Sequence, residues 1–329
     1  MKPGAGRARR RGFALLMVIW GIGVVSMLVL SFASTERKRL VGTVDLLRGD
    51  QATLLAQSAI DAGILSIIAE VTSQGQPGAG TFAGGGQRPV HDGAPRFCTM
   101  AEAAAAISIE DESGKVDLNA ASEPLLTRLF LAFGLGQSDA GRLASAVITF
   151  RTAPTADIAI KDTETGGRPF SPKRNLFQSI YELDQVVGVE GALMQKLAGA
   201  LTVHSQQPGV DPASAPPGLF AAMAGFPPVD VEALTARPWP NALDREDPRF
   251  PAEFKRAGES LVFTVHAEAA LAGGQYAVRE AIVDFRRSGQ DGGVYAIHET
   301  RHGVPRFRET LTAAFQNGLP TLADCREAR

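Results

Sequence analysis

The 329-residue chain predicts an α+β protein. A long N-terminal helix crosses a membrane and then packs on a small antiparallel sheet, and a large all-helical domain is inserted between the strands. Three observations carry this prediction. Phe13–Ala33 contains 21 residues without a charge. Gly114–Val203 reads as short helices joined by glycine turns. Strand patterns flank that stretch on both sides, most clearly at Leu261–Ala267, where apolar and polar residues alternate.

An apolar run of this length spans roughly 30 Å as a helix, the thickness of a bilayer core. The basic cluster of Lys2, Arg7, Arg9, Arg10 and Arg11 predicts a cytoplasmic N-terminus and a single pass, with the bulk of the chain across the membrane. A secretory signal peptide fits poorly: the run is long, and Ser34-Thr35-Glu36-Arg37-Lys38-Arg39 follows it in place of a good cleavage site. A plain signal anchor fits on length alone. No proline occurs between Pro3 and Pro77, so the helix is expected to run past the membrane over residues 13–75. Ile60, Ile64, Ile67 and Val71 then form one apolar stripe.

Beyond the helix, Gln74–Gly86 is a glycine-rich loop, and Arg96–Cys98 and Ile107–Glu110 read as strands. In the helical stretch, Gly134-Leu135 and Gly188-Val189 each precede an amphipathic helix, a repeat that also matches Leu143, Ala144, Ala146 and Val147 to Leu197, Ala198, Ala200 and Leu201. Val116-Asp117 and Val210-Asp211 echo one another, and Asn119 or Ser122 is expected to cap a helix start. Pro208–Pro251 reads as a proline-rich connection. Leu261, Phe263, Val265 and Ala267 would face a core, Gly273-Gly274 makes a turn, and Tyr276–Arg286 and Val294–Glu299 complete the sheet. The expected organisation is a leader at 1–12, the helix at 13–75 with its membrane span at 13–33, a core at 76–110 plus 255–305, an inserted helical domain at 111–254, and a flexible tail at 306–329.

The net charge of −2 supplies no basic field for nucleic acid. His298-Glu299-Thr300-Arg301-His302 matches the H-E-x-x-H zinc motif, which works only on a helix, where both imidazoles share one face. Val294, Tyr295 and Ile297 before it favour a strand, and Gly303 and Pro305 after it leave no room for a helix. On a strand the two histidines would sit about 13 Å apart, so a zinc peptidase is the weaker reading and a solvated edge strand the stronger. The glycine turns resemble helix-hairpin-helix modules, which would make a membrane-anchored DNA-uptake protein the main alternative function. Asp139 and Glu190 near those turns would repel phosphate. Asp111, Glu112, Asp117, Asp157, Asp162 and Glu164 form a loose acidic series read as solvated loop residues, of which Asp157, Asp162 and Glu164 are sparse calcium candidates. Cys98 and Cys325 are able to pair in an oxidising compartment or to stay as separate thiols.

The junction Arg11-Gly12-Phe13-Ala14-Leu15-Leu16 resembles a prepilin leader, in which a basic peptide ending in glycine is removed on the cytoplasmic side. Together with Glu110-Asp111-Glu112-Ser113-Gly114-Lys115-Val116-Asp117-Leu118-Asn119, Phe177–Leu183, Leu201–Ser205 and the late strand hairpin, the chain resembles the K-class minor pseudopilins of type II secretion (general secretion pathway protein K). The resemblance implies a pseudopilin fold, no enzymatic activity, cleavage after Gly12 and N-methylation of Phe13. Met17 stands where most of the family carries a membrane-embedded glutamate that pairs with a neighbouring subunit's amine. Its absence spares the cost of a buried carboxylate and implies a subunit at the filament tip. The implied partners are the I, J and H pseudopilins, a prepilin peptidase, the inner-membrane assembly platform, and the secretin or exported proteins. Some members bind calcium in a loop after the helix ending near Phe150, where this chain has few carboxylates.

Overall fold

The computed structural model describes residues 8–74, 90–100, 103–152, 173–256, 261–286 and 294–316. Helix α1, Ala8–Gln74, is one uninterrupted element of 67 residues, about 100 Å long at 1.5 Å per residue. Its two halves differ. The apolar window beginning at Phe13 has no buried share, with Phe13, Leu16, Trp20, Leu28 and Phe32 all exposed. From Ala52 onward one face is buried: Ala52, Ala56, Ala59, Ile60, Ile64 and Ile67, with Val71 packed at the margin. The helix starts at Ala8, ahead of the expected start at Phe13, so Gly12 lies within the helix and not on an extended segment. Glycine's weak helix propensity lowers the cost of unwinding there.

The buried face of α1 lies on a five-stranded antiparallel sheet ordered β1-β2-β5-β6-β7. The strands are β1 Arg96–Met100, β2 Ala103–Asp111, β5 Val262–Leu271, β6 Tyr276–Asp284 and β7 Ala296–Arg301. Strand β2 is longer than its sequence predicts because Ala103–Ala106 pairs fully along β5. These small side chains let α1 sit close, and Ala52 meets Ala103 and Leu271 at one end of the contact. At Gly63 the approach is closer still: an added Cβ would lie 2.7 Å from Val265 Cγ1. Phe263, Val265 and Ala267 face α1 as the alternation predicts.

Between β2 and β5 the chain builds the helical unit, with its own core. After a 3-10 turn at Glu112–Gly114 come β3 (Val116–Asp117), α2 (Glu123–Ala132), α3 (Gln137–Arg151), a 3-10 helix at Ile180–Gln185, α4 (Gly191–Leu197) and β4 (Leu201–Thr202). Strands β3 and β4 pair in parallel. Gly134 and Gly188, the repeated turns, have φ of +100° and +101°, the left-handed region that glycine adopts without penalty. Ser122 is the residue that caps α2. The proline-rich stretch is more than a connection: it folds into α5 (Pro217–Met223) and α6 (Pro228–Ala236), each with proline in its first turn. There the missing N–H costs nothing and the fixed φ is already helical, and every residue of α5 is buried.

The expected flexible tail at 306–329 is corrected over its described part. Phe307 and Leu311, on or beside α7 (Arg308–Gln316), are buried against Ala104, Ala106 and Ala270 on the sheet face opposite α1. Their four-residue spacing supplies a short apolar face, which makes the sheet the middle of three layers.

The helix–sheet contact generates the first prediction. Gly63→Val should destabilise the detergent-solubilised chain by about 2 kcal/mol through overpacking against Val265. Gly49→Ala, where nothing lies within 4 Å, should stabilise it by about 0.5–1 kcal/mol through helix propensity. Urea unfolding of both variants measures the contrast.

Candidate functional site

The stretch Glu110–Asn119 is where the helical unit leaves the sheet, and nearly every polar residue in it has a defined partner. Asp111 accepts from Ser113 N at 2.8 Å and starts the 3-10 turn. Gly114 passes so close to the Ser214–Ala215 backbone that a Cβ would lie 2.3 Å from Ser214 O. Asp117, fully buried, accepts from Asn119 N at 2.7 Å, Gln206 N at 2.7 Å and Ser205 Oγ at 3.1 Å. Burial pushes its carboxyl up, although those donors work against the shift. Asn119 Nδ2 donates to Phe177 O at 2.9 Å, and its Oδ1 accepts from Phe177 N at 2.8 Å. Arg151, the last residue of α3, donates to Leu118 O and Ala121 O. The segment therefore clamps α3, Phe177 and the strand β4 return onto one point.

The sheet face opposite α1 carries a chain of buried charges. Glu110 is ion-paired to Lys115 Nζ at 2.7 Å and to Arg306. Lys115 also meets Glu112 at 2.7 Å, and Thr264 donates to that same carboxylate at 2.7 Å. Glu280 contacts His266 Nδ1 at 2.8 Å, Arg301 Nε at 2.7 Å and Arg306 Nη2 at 3.3 Å. Glu268 meets His266 Nε2 at 2.7 Å and accepts from Tyr276 Oη and from the Phe307 backbone N–H. Burial opposes ionisation of Glu110, but Arg306 and Lys115 outweigh it and hold the carboxyl well below the usual range. The same contest places Glu280 at about 2, with His266, Arg306 and Arg301 against burial. Asp284 also lies at about 2, where hydrogen bonds from Arg286 and His298 oppose its desolvation. The expectation that Asp111, Glu112 and Asp117 are solvated is thereby corrected: all three are buried and partnered.

Other residues singled out in the sequence fall as follows. Met17 is exposed on the apolar span, as is Phe13. Cys98 is buried in β1 and disulfide-bonded, while Cys325 lies outside the described residues. Asp157, Asp162 and Glu164 also lie outside them. His298 and Glu299 are on β7, with His302 just beyond its end. His298 pairs with Asp284 at 2.8 Å, Glu299 reaches Arg301 at 3.7 Å, and His302 is engaged by Arg279, so the three do not converge. Among the described residues no group of three or more His, Cys, Asp or Glu is placed to hold a metal ion. Sequence reading missed Lys115 and Arg306 as partners of the sheet, and also a stacked contact between His204 and His298.

The depressed carboxyls of Glu280 and Asp284 fix the sign of a pH dependence. A lowered folded-state value contributes stability that is complete above the ordinary carboxylate value (4.5 for Glu, 3.8 for Asp) and is lost as pH falls towards about 2. The urea midpoint of the chain should fall steadily across that window. Glu280→Gln should lower the midpoint at neutral pH and flatten the acid slope.

No family model matches the chain, and no curated protein matches it. Among solved structures it is similar to a chain of the crystal structure of the GspK-GspI-GspJ complex from the enterotoxigenic Escherichia coli type 2 secretion system. The match has 14% sequence identity and a TM-score of 0.46, and covers 81% of this chain and 100% of that chain.

Proposed function

We propose that this protein is a non-enzymatic minor pseudopilin of the K class, acting at the tip of a type II secretion pseudopilus. The observation that carries this reading is the single helix α1, whose exposed apolar half is long and apolar enough to cross a bilayer and whose distal half packs on an antiparallel sheet. The helical unit inserted between β2 and β5 is the second support, since it is a bulky attachment to the sheet with a core of its own.

In this reading the leader is removed after Gly12, and Phe13 becomes the methylated N-terminus. The helix is then extracted from the inner membrane into the filament. Met17 removes the carboxylate that would pair with a subunit above, so the protein primes assembly with I- and J-class partners and caps the filament as it supports export through the outer-membrane secretin. The apolar surface of Met17 crosses hydrocarbon without the several kcal/mol that a charged group would cost there. In this reading the disulfide partner of Cys98 is Cys325. The acid-poor segment following Arg151 leaves calcium out of the reading.

Intact-mass analysis after co-expression with a prepilin peptidase tests the proposal. The expected product begins at an N-methylated Phe13. A mature chain beginning at Met1, or after Ala33, overturns it.

A further inference from the structure

We infer that the joint between the helical unit and the sheet is a proton-sensitive hinge, built from the stacked imidazoles of His204 and His298. This goes beyond the proposed function and does not depend on it. His204 follows β4 and so belongs to the helical unit, whereas His298 lies on β7, the edge strand of the sheet. Their rings stack with centroids 5.3 Å apart and an interplanar angle of 18°. Nearby, Arg301 of β7 lies over the Tyr181 ring at 5.7 Å, so the same strand meets the helical unit at a second point. Other ties among the described residues lie elsewhere on the molecule: the Glu112–Lys115–Glu110 root with Thr264 on Glu112, Arg245 of the proline-rich return on Asp92 at 3.0 Å, and Trp239 of that return against the Ala104, Ala106 and Ala270 face.

A stack of two neutral rings, or of one neutral and one charged ring, is favourable; a stack of two imidazolium ions is repelled. The surroundings decide which forms exist. His298 Nε2 faces the Asp284 carboxylate of β6 at 2.8 Å, and Arg286 holds that same carboxylate at 2.9 Å. His204 is faced by Glu112 from the 3-10 turn, Asp117 from β3, and Glu299 and His298 from β7. Burial comes first among these influences and lowers the proton affinity of His204. A charged His298 lowers it further, and the three carboxylates only partly oppose this. A group whose folded value is lowered stabilises the closed form above its ordinary value of 6.5 and penalises that form as pH falls below it. Near neutral pH the joint stays stacked. In mild acid, where histidine titrates, the second proton enters only if the rings separate. The helical unit then loses this contact while the root at Lys115 holds.

The test is a spin-label distance measurement on the full-length chain in detergent micelles. One label is placed on α6 through Val229→Cys and the other on α1 through Leu65→Cys, both exposed positions, with Cys98 already disulfide-bonded. A single narrow distance distribution is expected at about pH 7.5, with a second, displaced population at about pH 5.5. His204→Phe and, separately, His298→Phe keep an aromatic stack but can load at most one proton, so each should abolish the second population. The inference is overturned if the parent chain shows the same distribution at both pH values. It is equally overturned if either phenylalanine variant, with a parent-like distribution at neutral pH, still shifts in acid.

Discussion

Everything on the outer face of the sheet depends on one electrostatic constraint: Glu110, Glu268 and Glu280 are strand carboxylates buried where water does not reach them. Ionised groups in such a place cost several kcal/mol each unless partners and hydrogen bonds compensate. Part of the compensation comes from the strands themselves, through His266, Tyr276 and Arg301, and part from outside the sheet. Lys115 arrives from the start of the helical unit, and Arg306 from the segment that follows β7. Two parts of the chain distant in sequence are therefore drawn to the same carboxylate of β2. The helical unit departs from the sheet at a fixed place, and Phe307 and Leu311 are brought down onto Ala104 and Ala106 beside it.

The other face obeys simpler physics. Alanine and glycine at the α1–sheet contact let the helix lie close, and Ile60, Ile64 and Ile67 on the same face fill the core beside them. Each fully buried isoleucine is worth roughly 1.5–3 kcal/mol, so this half of α1 has ample reason to stay docked. The half before Ala33 is exposed, with none of its apolar window buried among the described residues. One helix thus carries two kinds of surface, an exposed apolar half long and apolar enough to cross a membrane and a half buried on the sheet, with the exposed, charged stretch around Arg37–Arg39 between them.

The elements that sequence reading found are those whose side chains repeat with a clear period. The stripe of Ile60, Ile64 and Ile67 repeats every three to four residues, and Phe263, Val265 and Ala267 every two. Ala103–Ala106 escaped because alanine has no strand preference of its own, and its place in β2 follows from pairing along β5. Pro217 and Pro228 read as interruptions, yet at a first helical turn they are starts. The polar partners Thr264 and His266 on β5 were legible as one face of a strand. Alternation says only that a face differs, and not whether something covers it. Coverage here comes from Lys115 and from Arg306, and Arg306 lies 196 residues from the Glu110 it pairs with, a distance over which no local pattern carries information. The joint of His204 and His298 was invisible for the same reason.

The dependence of the outer face on Glu110 is tested most directly by a double-mutant cycle on Glu110→Gln and Lys115→Met, read by urea unfolding of the full chain. The account predicts that each single change is costly because it leaves the other charge buried, and that the pair is cheaper than the sum by about 1.5 kcal/mol or more. Additivity within about 0.5 kcal/mol would contradict it, and would mean that the helical unit is held to the sheet by something other than these charges.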